Sequence, residues 1–154
     1  MYEKGMKLEE EIKQQFFESP EQKLTINLIF TYYWLLDQLK AQLHPYNISM
    51  QQYNIMRILR GQGQNPATIN LLKDRMLDKS SDASRLVERL RIKDLVERIV
   101  CPQDRRSVEI RITRKGIDLL KKIDEEQMQD AHICKQLTVE EIHRLNDLLD
   151  GLRG

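Results

Sequence analysis

The chain has little cysteine: two residues in 154, Cys101 and Cys134. Two thiols are too few for a disulfide framework, and they do not stand at the spacing of zinc ligands. Long apolar runs are absent as well. No stretch approaches the roughly 18 apolar residues that a membrane span needs. The opening residues, MYEKGMKLEEEIKQQ, are too acidic for a signal or transit peptide. There is no internal repeat, low-complexity linker, phosphate-binding loop, nucleophile elbow or HExxH-like pair. His132, Cys134 and His143 do not share one helix face at metal-ligand spacing. These absences predict a soluble cytoplasmic protein with no membrane partner, no metal or other cofactor, and no enzymatic activity.

What is present is charge and helical periodicity. Apolar residues make up 40% of the chain and charged residues 32%. The length suits a single domain, residues 1–154, with its own core. The charge level suits helices with long exposed faces. The net charge of +1 conceals an uneven distribution. Residues 45–115 hold 15 Lys/Arg against 8 Asp/Glu, a balance of +7, and the remainder carries −6. A basic middle between acidic ends points to one region that meets a polyanion.

Helical spacing recurs along most of the sequence. A short amphipathic helix through Leu8, Ile12 and Phe16 fits the segment before Ser19-Pro20. Residues 22–43 form a long helix, with Leu24, Leu28, Tyr32, Leu35, Leu36 and Leu39 at helical intervals. Ile29, Trp34 and Leu43 widen its apolar surface enough to bury more than one side. Pro45 and Asn47 end it. Ser49 and Gln52 have capping-box spacing and open a helix through Met50, Tyr53, Met56 and Leu59, stopped by Gly61 and Gly63. Asn65-Pro66 reads as a helix start, followed by Ile69, Leu72 and Met76. The polar turn Asp78–Ser81 offers hydroxyls to cap the next helix, about 81–93. Ala83, Leu86, Val87 and Leu90 form that helix's inner face. Ser81, Asp82, Ser84, Arg85, Glu88 and Arg89 form its outer face. Two short helices across a tight polar turn make a helix-turn-helix candidate. Thr113 caps a later helix through Ile117, Leu120, Ile123 and Met128. Thr138 and Glu141 form a second capping box, before Ile142, Leu145, Leu149 and Leu152.

The most informative stretch is Leu95–Ile112. Strands Glu97–Cys101 and Val108–Ile112, the second strictly alternating, flank a loop with Asp104, Arg105 and Arg106 at its tip. Pro102 sits where the first strand ends. A basic hairpin directly after a polar-faced helix is a shape suited to DNA.

The order of elements, with RLVERL at 85–90, KDLVER at 93–98, DRR at 104–106 and ITRKG at 112–116, resembles the MarR family of bacterial winged helix-turn-helix transcription regulators. The resemblance covers roughly residues 22–150. It departs from the family pattern at Asp94, where glycine is commoner, and at Asp82, an acid near the groove-facing end of the helix. Asp tolerates turn geometry, so the first departure is expected to be harmless. The fold it implies is mainly α (α+β): a winged helix-turn-helix with a two-stranded β-hairpin wing and dimerisation helices at both ends. Residues 46–115 would be the DNA-binding lobe, 22–45 and 116–154 the dimerisation helices of a homodimer, and 1–21 an N-terminal extension.

The resemblance also implies a sequence-specific transcription regulator, a repressor that binds double-stranded DNA as a homodimer on a pseudo-palindromic operator and answers to a small aromatic or phenolic effector. Ser81, Ser84 and Arg85 would contact bases or phosphates, with Lys79 and Ser80 on phosphates. Arg85 suits a bidentate contact to guanine, or else a phosphate contact or a pair with Asp82 or Glu88. Asp82 would accept from a cytosine amino group, orient Arg85, or simply favour the helix dipole. At the wing, Asp104 would brace Arg106, which would reach the minor groove, while Arg105 would serve phosphates. Tyr32, Tyr33, Trp34, His44, Tyr46 and Tyr53 are either effector-crevice or ordinary packing residues, so no effector site is assigned. Two other readings stand beside this one: a winged-helix module that binds protein instead of DNA, and a redox-sensing regulator using Cys101 or Cys134.

Overall fold

The computed structural model describes residues 7–63, 65–100, 108–129 and 134–154. The chain divides by internal contacts into two units, Met1–Ala41 and Gln42–Gly154.

In the first unit, helix α1 (Leu8–Glu11) is a single turn that buries Leu8. The sequence suggests a helix continuing to Phe16. It stops early because Ile12 leaves helical geometry and Lys13 enters the left-handed region at φ 54°. Lys23 forms an ion pair with Glu9 and lies 5.7 Å from the centre of the Phe17 ring. Helix α2 (Pro20–Leu43) starts two residues before the periodicity suggests, because Ser19 and Pro20 begin it. The Ser19 hydroxyl accepts from the Gln22 N–H at 3.2 Å, and proline at the first position surrenders no helical hydrogen bond. Leu24, Ile29, Tyr32, Tyr33 and Trp34 remain exposed along α2.

The second unit is built around α3 (Met50–Gly61). A 3-10 turn, His44–Tyr46, leads to Asn47 at φ 53°, and Ser49 and Gln52 then close the expected capping box at 3.2 and 3.0 Å. α3 buries Tyr53, Ile55, Met56, Ile58 and Leu59, so it is covered on several sides.

Next comes a strand that periodicity does not reveal, β1 (Ala67–Thr68). It is followed by α4 (Ile69–Arg75), α5 (Ala83–Ile92), β2 (Val96–Val100), β3 (Val108–Ile112), α6 (Arg114–Gln129) and α7 (Val139–Arg153). The wing hairpin forms as expected, antiparallel from Val96 opposite Ile112 to Val100 opposite Val108, with β2 beginning one residue early. The sheet has three strands rather than two, in the order β1-β3-β2, because Ala67 and Thr68 pair with Ile110 and Glu109. That pairing also corrects the reading of Asn65-Pro66. The two residues precede a strand, and Thr68 caps α4 by accepting from the Leu71 N–H at 3.2 Å.

The core joins Ile55, Met56 and Leu59 of α3 to Leu72, Val87, Leu90, Ile110, Leu120 and Ile123. Burying each such aliphatic side chain contributes about 1.5–3 kcal/mol. One junction positions the wing. Asp94 takes φ 58°, the left-handed conformation that aspartate tolerates. Its carbonyl accepts from the Thr113 hydroxyl at 2.7 Å, and that hydroxyl accepts from the Gly116 N–H at 3.1 Å. Gly116 passes so close to the Leu95 carbonyl that a side chain there would overlap it, and would also sit 2.7 Å from Ile112 Cγ1.

Candidate nucleic-acid interface

The turn between α4 and α5 is fixed from below and from within. Met76 is buried, and the Leu77 N–H donates to the Asn54 side chain on α3 at 2.9 Å. Asp78 then organises the turn. Its carboxylate accepts from the Ser80 N–H at 3.0 Å, the Ser80 hydroxyl at 2.6 Å and the Ser81 hydroxyl at 2.7 Å. These donors, the Ser80 hydroxyl first, hold the Asp78 carboxyl down at about 2. Lys79 turns back onto α4, where its ammonium donates to the Asp74 carbonyl and lies 3.5 Å from the Lys73 carbonyl. A cation there is favoured by the negative end of the α4 dipole.

The α5 cap differs from the expectation that the turn hydroxyls supply it. Asp82 is the N-cap, its Oδ1 accepting from the Arg85 N–H at 3.1 Å. The serines stand one and two residues too early to reach that amide, and Asp78 engages their hydroxyl protons. Asp82 also pairs through Oδ2 with Arg85 Nε at 3.3 Å. Of the two carboxylates that flank Arg85 in sequence, Asp82 holds it and Glu88 does not. Glu88 accepts from Arg91 at 2.8 Å and lies 3.7 Å from Arg98 on β2. Those cations, Arg91 first, lower the Glu88 carboxyl below its usual range.

Ser84, Arg85 and Arg89 face outward, opposite buried Ala83, Val87 and Leu90. The result is a cleft of about 340 Å³ between the α4 residues Ile69, Asn70 and Lys73 and the stretch Lys79–Ser84. It brings together Lys79, Ser80, Ser81, Asp82 and Ser84 from the sequence-derived set, with Arg85 next in the chain. It adds Asn70 and Lys73, which sequence reasoning missed. Their one signal was a polar pair three apart on α4, flanking buried Leu72. Asp104, Arg105, Arg106 and Cys101 lie outside the described residues. Cys134 is exposed and unpaired with any cysteine, and no group of three metal-capable side chains occurs among the described residues.

A second polar cluster ties α3 to α6. Asp124 takes Arg57 at 3.0 Å and Arg60 at 2.6 Å, and Arg57 also reaches the Tyr53 hydroxyl at 3.2 Å. The Tyr46 hydroxyl donates to Glu126, and the Lys122 ammonium lies 5.6 Å from the Tyr46 ring centre. Burial, then the Glu126 carboxylate, push the Tyr46 phenol up to about 12. Two of the six aromatics weighed for an effector crevice, Tyr46 and Tyr53, thus have structural partners of their own.

A helix-turn-helix followed by a strand hairpin, with a third strand closing the sheet, defines a winged helix-turn-helix. Known proteins carry the assignment further. A MarR family model matches residues 46–107. The HTH-type transcriptional regulator MhqR of Bacillus subtilis is 27% identical over 128 residues, covering 82% of this chain and 87% of its own. The MarR transcription factor of Planctomyces limnophilus is 30% identical with a TM-score of 0.67, covering 88% of this chain and 98% of its own. A cysteine-to-serine mutant of E. coli MarR, crystallised with operator DNA, is 25% identical with a TM-score of 0.73, covering 96% and 99%. The chain belongs to the MarR family of transcription regulators. Among the described residues no helix is long and apolar enough to cross a membrane.

Proposed function

We propose that the protein acts as a homodimer that binds a pseudo-palindromic DNA site through α5 and represses transcription until a small effector lowers its affinity. The observation that carries this reading is the outward face of α5. Its N-terminal turn is exposed, polar and free of apolar cover, while its inner face is locked into the core. In a helix placed in the major groove, residues near the N-terminus meet base edges. Ser84 and Arg85 occupy that position, as does Ser81 in the turn before it. Lys79, Ser80 and Lys73 border the same cleft and suit phosphates. The Ser80 and Ser81 hydroxyls donate to Asp78, so contact with a phosphate, which only accepts, requires them to rotate away. Arg106, braced by Asp104, would extend the contact into the adjacent minor groove, with Arg105 on phosphates.

The homodimer is supported by apolar surface that one chain leaves uncovered. α2 exposes Leu24, Ile29, Tyr32, Tyr33 and Trp34, and α7 exposes Val139, Leu145, Leu148 and Leu152. Surface of this kind marks association. A twofold dimer would set its two α5 helices about 34–36 Å apart, one turn of DNA. The effector belongs to the resemblance; in that family it is often aromatic or phenolic.

The test is selection of bound duplexes from a random pool, followed by titration of the best against salt. Affinity is expected to fall steeply with salt, because each phosphate contact releases counterions. Arg106→Ala is expected to cost most of the binding while sedimentation still reports a dimer. No enrichment at low salt would reject DNA recognition in favour of a protein-binding module.

A further inference from the structure

We propose that Asp82 is a positioning residue for base recognition: it aims the Arg85 guanidinium at guanine and so sets the specificity of α5. The proposal rests on the reading of α5 as the helix that enters the major groove.

One carboxylate grips Arg85 at two points. Oδ1 accepts from its backbone N–H at 3.1 Å, and Oδ2 forms an ion pair with its guanidinium, 3.3 Å from Nε. A guanidinium carries five N–H groups in a fixed planar fork. The ion pair is made at Nε, which leaves the two Nη groups as the prongs offered to a base. Guanine offers O6 and N7 side by side in the major groove, and that two-pronged edge matches them. The Arg85 side chain is 83% exposed, and Glu88, the other carboxylate near it on α5, is occupied by Arg91 and Arg98.

Capping alone does not call for a carboxylate. Serine, threonine or asparagine would cap α5 comparably without a negative charge. A carboxylate at this spot repels phosphates, so it weakens binding to every duplex. The cost is recovered only where Arg85 finds its base, and both effects raise the ratio of specific to non-specific affinity. In water the exposed pair is weak, worth less than about fivefold. In a groove from which water is displaced it strengthens.

The experiment uses the full chain and a duplex selected from a random pool, with 7-deazaguanine replacing each half-site guanine in turn. That base lacks only the N7 acceptor. Binding is read by fluorescence anisotropy for wild type, Arg85→Ala, Asp82→Asn and Asp82→Ser. Wild type is expected to lose about tenfold at one guanine, and Arg85→Ala to lose nothing further there. Both Asp82 variants keep a capping side chain and the wild-type melting midpoint. Their penalty at that guanine is expected to shrink to about a third, while random duplex binds several-fold tighter. An undiminished penalty in the Asp82 variants overturns the positioning role, even if random-duplex affinity rises, since repulsion alone gives that rise. A full penalty in Arg85→Ala also overturns it, because Arg85 is then not the reader. Failure of wild type to enrich any duplex instead rejects the underlying DNA reading, a different and separately visible result.

Discussion

α5 and α7 are alike in sequence pattern and unlike in the structure. Each is an amphipathic helix capped by a side-chain oxygen, Asp82 in one and Thr138 in the other. α5 sets Val87 and Leu90 completely inside the unit, against α3, α4 and β2. α7 keeps Leu148 62% exposed, and none of its residues is buried. An apolar stripe therefore tells that a helix has a face to hide, and says nothing about whose surface hides it. In α5 that face is spent on the chain's own core and the outward, polar side is left exposed. In α7 the apolar side itself is what remains to be matched.

The comparison breaks most visibly under truncation. Leu90→Ala is expected to destabilise the fold by about 2–5 kcal/mol in chemical denaturation. Leu148→Ala, measured at a concentration where the chain is monomeric, is expected to stay within about 0.5 kcal/mol of wild type. Its effect should surface instead as weaker self-association in sedimentation. Equal losses for the two variants would mean that α7 is covered within its own chain. Gly116→Ala comes next, at about 1–3 kcal/mol, because the added methyl meets the Leu95 carbonyl and has no room to relax. Its thermal midpoint, set beside that of Gly151→Ala, where nothing stands within 4 Å, isolates the steric term. The smallest effect concerns the turn that presents α5. The Asp78 carboxyl is lower in the folded protein, about 2, than its ordinary 3.8. Its contribution is therefore complete above pH 4 or so and is lost as pH falls toward 2. The melting difference between wild type and Asp78→Ala should be constant from pH 7 to 5 and shrink below pH 4. A difference that grows on acidification would contradict this sign.

Much of the second unit could be read from local signals. The Ser49–Gln52 and Thr138–Glu141 boxes form as their spacing indicates, since a cap needs only residues three apart. The β2–β3 hairpin follows from alternation and a short loop. β1 could not be foreseen in the same way. Two residues carry no period, and their pairing depends on β3, some forty positions later. The α5 cap was misassigned because Asp and Ser are near-equal caps, and only the place where the helix begins separates them. For the candidate interface, the residues of the turn and α5 were legible because outward polar positions on a short amphipathic helix are easy to identify. Asn70 and Lys73 were not, because the cleft that recruits them exists only once α4 and α5 are packed at an angle.

Gly116 has a mechanical consequence. There α6 lies close against the Leu95 carbonyl and Ile112 at the wing's base, at the helix's first turn. The Arg57 and Arg60 bonds to Asp124 grip the same helix about two turns further on. α6 is thus a lever with a fulcrum and a strut. A helix of this length spans ~24 Å, so a tilt of roughly 5° about the fulcrum displaces its far end by about 2 Å. The strut rests on α3, whose Asn54 side chain also holds the Leu77 N–H at the start of the turn that presents α5, so α6 and that turn are anchored to one and the same helix.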